Sequence, residues 1–221
     1  MPLASSLLPT PAERRARARA DLRMGMPVCL TSGDRAALIL AAETMNAERF
    51  SELVAGGTAT LAITARRAET LKARAYDDDL ARIFVPAEAP LDWAQSVADP
   101  ADDLASPMKG PFRTERDGPA ELHRAGIALA KEARLLPAVL VYPLEPDARL
   151  DAYLTCLDLA TDGAPPHGAS YSEVVAARLP MMLAGAGRLH IFRPDDGGEE
   201  HYAVEVGQPD RTKPVLARLH S

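Results

Sequence analysis

The apolar residues of this chain switch repeatedly between a helical and a strand period up to about residue 177, and from there onward only the strand period remains. That alternation constrains the fold more than any single motif, because helices and strands that take turns along a chain pack as layers on a shared sheet. Pro11 opens a helix running to about Met24, with Thr10 as its cap and Gly25 as its stop. Its arginines are expected on a solvated amphipathic face. Two short buried strands follow at 27–31 and 36–42, joined by the turn Ser32-Gly33-Asp34. A helix over 47–57, a strand over 58–64, a helix over 65–73 and a strand over 81–86 continue the pattern.

Between residues 88 and 119 the composition shifts to scattered prolines among Asp, Ala and Gly, which predicts a long irregular loop. Leu122, Ala125, Ile127, Leu129, Ala133 and Leu136 then mark one face of a helix over 120–136. Pro137 ends it before a strand over 138–144. A helix from Asp147 to about Leu159, a loop over 161–168 and a short helix opening at Ser170 or Ser172 complete the first region. Three alternating runs follow, at 187–194, 200–207 and 213–221. The expected fold is therefore α+β, α/β-like: a mixed sheet packed with helices over residues 1–177, followed by a short β segment over 178–221.

With 221 residues, 47% of them hydrophobic and 25% charged, the chain can bury a substantial core in one or two domains. A net charge of −6 leaves no electrostatic footprint for nucleic acid or an anionic membrane surface. No apolar run approaches the roughly 18 residues needed to cross a bilayer. Glu13 and Asp21 interrupt the arginine-rich start and argue against a transit peptide, so a cytoplasmic protein is expected. Cys29 and Cys156 both sit in apolar contexts, far apart and without metal-ligand spacing, and are read as buried free thiols, with a disulfide or metal site as the alternative. Asp77, Asp78 and Asp79 read as a solvated loop, and His167 as a loop histidine. Lys109 and Arg113 read as a solvated loop face, with a phosphate patch as the alternative.

Four stretches carry a resemblance to a known family: LRMGMPVCLT, AAETMNAERFSELV, HRAGIALAKEARLLPAVLVYPL and EEHYAVEVGQPDRTKPVLARLHS. They resemble the fused riboflavin-biosynthesis proteins, in which a 3,4-dihydroxy-2-butanone 4-phosphate synthase domain precedes a GTP cyclohydrolase II domain. The first three are similar to the synthase and the fourth to the opening hairpin of the cyclohydrolase. The resemblance assigns residues 1–177 to a degenerate synthase-like domain and 178–221 to the truncated start of a cyclohydrolase-like domain. It also implies that the chain stops short of a longer fused protein, just before that family's zinc-binding cysteines.

The functional residues of the resembled families carry over only in part. Synthase chemistry on a pentulose phosphate needs a divalent metal held by a carboxylate and a histidine, with further acidic groups to move protons. Here the acidic loop has shrunk to TSGDRAA, leaving Asp34 and Arg35. Aligned on Pro137, Leu122 stands where the ligating histidine belongs; a slip of one residue brings His123 there, and the expected glutamate is missing either way. Asp34, Glu43 and His123 are the residual synthase-site candidates. His123 is otherwise a packed or surface helix residue, and Glu43 a structural one. No catalytic residue and no metal ligand is assigned.

By resemblance, Arg218, His220 and Ser221 belong to a GTP-contacting segment, since a guanidinium suits phosphate while histidine and serine can hydrogen-bond to the substrate. The other interpretation is a frayed strand end. Zinc is expected only if the chain continues past Ser221, and magnesium only if synthase activity persists. The implied role is a non-catalytic scaffold or dimerisation domain of a GTP cyclohydrolase II, working as a homodimer, with GTP or a sugar phosphate as possible ligands. The alternatives are an active GTP cyclohydrolase II in the parent chain, residual synthase activity on ribulose 5-phosphate, or regulatory binding of a sugar phosphate or flavin.

Overall fold

The computed structural model describes residues 7–101, 103–145, 148, 153–163, 170–183, 185–195 and 197–220. By their internal contacts the residues divide after position 163 into two compact units. The pattern change near residue 178 lies inside a strand, β7 (Tyr171–Met181).

In the first unit, helix α1 (Pro11–Arg23) begins with a capping box in which Thr10 Oγ1 accepts from the Glu13 amide and the Glu13 carboxylate accepts from the Thr10 amide. It ends at Met24, and Gly25 turns the chain at φ +70°. The arginines are not all solvated as the sequence suggests. Arg15 and Arg19 are buried with Ala18 and Leu22. Arg15 donates to Glu132 at 2.6 and 2.8 Å and to the Asp162 carbonyl at 2.9 Å, so its charge is paired as it leaves water.

The hairpin β1 (Val28–Ser32) and β2 (Arg35–Ala41) closes at Gly33-Asp34, with Ser32 opposite Arg35. Then come α2 (Ala47–Val54), β3 (Thr60–Thr64), α3 (Ala65–Leu71), β4 (Leu80–Phe84), α4 (Leu91–Ala98), α5 (Glu121–Glu132), β5 (Ala138–Leu144) and β6 (Cys156–Asp158). The sheet order is β4-β3-β5-β2-β1-β6. Every neighbouring pair is antiparallel except β1 with β6, which is parallel, so the sheet is mixed and the fold is α+β.

Alternation along β2 shows how the layers form. Ala37, Ile39 and Ala41 pack with Leu22 of α1 and Ile127 and Leu129 of α5; Leu40 joins Phe50 of α2, Ala68 of α3 and Val97 of α4 in a second cluster. The sheet is covered by helices on both faces.

Four expectations are corrected here. The proline-scattered stretch contains α4, because Pro90 occupies its N-cap position and Pro100 lies beyond its C-cap Asp99; the prolines bracket the helix rather than break it. Of the helix expected over 147–159, residues 147 and 149–152 lie outside the described residues, and its last part is instead β6, a strand too short to show a period. The helix expected from Ser170 or Ser172 is the long strand β7, whose irregularity between Glu173 and Val175 breaks the period-2 pattern that would have revealed it. Cys29 is buried as expected, but Cys156 is exposed.

In the second unit β7, β8 (Gly185–Pro194) and β9 (His201–Val206) form an antiparallel sheet in that order. The third expected strand does not form among its described residues. Residues 214–220 have no regular structure, Pro214 lacks a donor for any ladder, and Leu216 and Leu219 are fully exposed. Among the described residues no helix is long and apolar enough to cross a membrane.

Candidate functional site

A cavity of about 340 Å³ opens where the β1–β2 turn, β3, β4, β5 and the first turn of α5 meet, lined among others by Asp34, Arg35, Thr60, Arg82, Glu115 and His123. Each charged residue owes its position to a local cause. Asp34 and Arg35 are carried there by the tight turn of the β1–β2 hairpin. His123 is one turn into α5, and its Nε2 lies 3.0 Å from the Thr60 hydroxyl on β3.

Arg82 is 2% exposed and sits in the middle of β4. Its Nε and Nη2 donate to Asp77, Nη1 to Glu115 and to the Asp117 carbonyl, and Nη2 also to the Gly118 carbonyl, at 2.8 to 3.3 Å. A guanidinium has five N–H donors, and all five are used. Arg82 therefore braces the cavity wall and has no donor left for a ligand. Arg35, by contrast, uses Nη2 alone, donating at 2.9 Å to Glu121, which also accepts from Ser32 Oγ at 2.8 Å.

The charged groups lining the cavity are two cations, Arg35 and Arg82, and two anions, Asp34 and Glu115. Its field is therefore close to balanced. His123 stays neutral at physiological pH, because burial and then the Arg82 guanidinium push its pKa down to about 4, with Arg35 adding to the shift and Asp77 opposing it. Its Nδ1 is buried without a hydrogen-bond partner.

The sequence candidates do not converge on one place. Asp34 and His123 line the same cavity, whereas Glu43 lies past the far end of β2, where it accepts from the Leu136 amide at 2.6 Å. The seven residues of β2 keep Asp34 and Glu43 roughly 20 Å apart. Arg218 and His220 are exposed in the segment without regular structure, and Ser221 and His167 lie outside the described residues. The Asp77–Asp79 stretch is not simply solvated: Asp77 holds Arg82, and Asp79 pairs with Arg124 at 2.7 Å. Lys109 is buried against Asp103 and the Ser96 carbonyl, not on a solvated loop face as read from the sequence, whereas Arg113 is exposed as expected, its guanidinium 4.2 Å from the centre of the Phe84 ring.

Sequence reasoning missed Arg82, Glu115 and Thr60. A usable signal existed for the first: an arginine inside the apolar run LARIF must find buried partners, and Asp77 stands five residues before it.

Magnesium prefers several oxygen ligands in one place. Of the carboxylates at this cavity, Glu115 is committed to Arg82, Glu121 just outside it is committed to Arg35, and Asp34 alone remains. The residues present do not fit that ion. Among the described residues no group of three or more His, Cys, Asp or Glu is placed to hold a metal.

No protein-family model matches the chain. Over 216 residues it is 32% identical to a GTP cyclohydrolase-2 of Azospirillum brasilense, an alignment covering 93% of this chain and 56% of that protein. It is 28% identical over 214 residues to a GTP cyclohydrolase-2 of Xylella fastidiosa (strain Temecula1), covering 93% and 51%. The chain thus spans about half the length of the curated relatives it matches. Among solved structures it is similar to 3,4-dihydroxy-2-butanone 4-phosphate synthase in a cation-free form and in complex with two magnesium ions. The TM-scores are 0.46 and 0.45 at 17% identity, over 66% of this chain and 92% of each of those.

Proposed function

We propose that this chain, a homologue of the GTP cyclohydrolase-2 proteins of riboflavin biosynthesis, is a non-catalytic module of such a protein. In this proposal residues 1–177 are a synthase-like scaffold and dimerisation domain, and residues 178–221 begin a cyclohydrolase-like domain. The observation that carries it is the commitment of the charged groups at the cavity. Glu115 and Arg82 bind each other, Arg35 is bound to Glu121, and Glu43 faces elsewhere. Abstracting and returning protons on a pentulose phosphate requires more than one free acid or base beside a metal, and Asp34 with a neutral His123 does not supply that set.

Packing surfaces and ligand sites are separate demands on a sequence, so a homodimer can outlast the loss of chemistry. The cavity itself remains open, and its exposed Thr58 hydroxyl can hydrogen-bond a small polar ligand such as a sugar phosphate without turning it over.

A second reading rests on the names of the relatives: the parent protein hydrolyses GTP, with Arg218, His220 and Ser221 contributing to GTP binding. Among the described residues Cys29 and Cys156 have no third ligand beside them with which to hold the zinc of that reaction.

The purified chain tests the first reading. With ribulose 5-phosphate and magnesium it is expected to give no dihydroxybutanone phosphate, with GTP and zinc no product, and in sedimentation a dimer. Product in the first assay overturns the loss of synthase chemistry, and a monomer at high micromolar concentration overturns the dimerisation role.

A further inference from the structure

The two cysteines stand 127 positions apart in sequence, yet the parallel pairing of β1 with β6 makes them direct register partners. Leu30 and Leu157, the next pair along, both join the core beneath α1 and α5. Alternation therefore turns Cys29 and Cys156 together toward the opposite face of the sheet. Neighbouring strands run about 4.8 Å apart, which lies inside the window of about 4.4 to 6.8 Å between Cα atoms that a disulfide spans. β6 is a three-residue edge strand with β1 as its one neighbour in the sheet, so it can make the small approach that bond formation requires.

The two thiols differ in access. Cys156 is exposed, with its Sγ 3.7 Å from the Leu154 carbonyl, whereas Cys29 is fully buried. Burial, and then the neighbouring Cys156 thiol, push the Cys29 thiol up to about 12. Cys29 is thus inert toward reagents in solution and meets sulfur only from its register partner.

We propose that Cys29 and Cys156 form a reversible dithiol–disulfide site that takes low-molecular-weight disulfides as its oxidant. The Cys156 thiolate attacks one sulfur of the reagent disulfide and expels a thiolate, leaving a mixed disulfide on Cys156. Cys29 gives up its proton to that departing thiolate, attacks Sγ of Cys156 and expels the second thiol. The protein loses two electrons and two protons, and one reagent disulfide becomes two thiols. The bond fastens β6 to β1, the strand that leads into the Asp34 turn, and it closes most of the first unit into one covalent loop. Free thiols are the resting state in a reducing compartment, and the disulfide is the state after oxidation.

The test uses the whole chain, fully reduced and then incubated with oxidised glutathione. Intact mass, peptide mapping after alkylation and a non-reducing gel are read together. The expected product has lost the mass of two hydrogens, yields one peptide pair joined through Cys29 and Cys156, unfolds at a higher temperature, and reverts with dithiothreitol. Cys156→Ser should not react, and Cys29→Ala should stop with one glutathione attached. A stable glutathione adduct on the wild-type chain, a cross-link between two chains through Cys156, or a wild-type chain that stays reduced would each overturn the proposal. None of these readings on the wild-type chain depends on either variant folding.

Discussion

Asp77 accepts from Arg82 twice, at 2.8 Å from Nε and 3.2 Å from Nη2, and so turns a buried arginine in the middle of β4 into the brace of the cavity wall. The fork geometry is what lysine lacks. Arg82→Leu is expected to destabilise the protein by about 3 to 5 kcal/mol, because Asp77 and Glu115 lose their shared cation, and Arg82→Lys by less, because the charge stays and only the fork of donors is lost. Urea unfolding at pH 7 measures it. A loss under about 1 kcal/mol for Arg82→Leu would show that the network contributes little.

His123 gives the fold a pH dependence of defined sign. Its folded pKa of about 4 lies below the ordinary 6.5, so the unfolded chain binds the proton more readily between those values. Stability from this group is complete above about pH 6.5 and is lost as the pH falls toward 4, by about 2 to 3 kcal/mol in all. His123→Leu is expected to flatten that part of the stability–pH curve. Equal slopes for the variant and the wild type between pH 7 and 4.5 would contradict it.

Asp103 titrates in the other direction. Hydrogen bonds from Arg67 and then from Lys109 hold its carboxyl well below the ordinary carboxylate range. A depressed carboxyl stabilises the fold above its unfolded value and loses that contribution as the pH falls through the folded one. Asp103→Asn should therefore lower the urea midpoint at pH 7 and still lower it, by somewhat less, at pH 3, because the folded carboxyl remains ionised there. The same arginine also donates to the Ser96, Val97 and Asp99 carbonyls at the end of α4, so the variant should loosen that helix end first. Amide exchange over 95–99 reads this directly.

Two glycines with the same backbone hand should respond differently to alanine. Gly25 has φ +70°, and a Cβ there would overlap the Thr44 carbonyl oxygen; Gly33 has φ +61° with nothing within 4 Å. Gly33→Ala is expected to cost about 1 kcal/mol, the left-handed penalty alone. Gly25→Ala should cost more than about 2 kcal/mol, since backbone must also move. Thermal or urea unfolding of the two variants side by side checks the ordering.

Local signals in the sequence determined much of this molecule. Thr10, Pro11 and Gly25 bound α1, Gly33 closes the first hairpin, and Pro137 separates α5 from β5, because each acts through backbone geometry within a few residues. The period of the apolar residues likewise set which faces of β2 and α5 are buried.

Tertiary structure decided whatever depends on a partner far along the chain. Prolines at 90 and 100 bracket a helix only because α4 has a core to bury Val97 in, and β7 is a strand because β8 lies beside it. Residues 214–220 alternate as well as any strand, yet they pair with no other strand among the described residues and have no regular structure. Asp34 and Glu43 are nine residues apart in sequence and stand at opposite ends of β2, whereas Cys29 and Cys156, at distant positions, are register partners. Distance along a chain is not distance in space once strands pair, and pairing is a property of two segments that neither one carries alone.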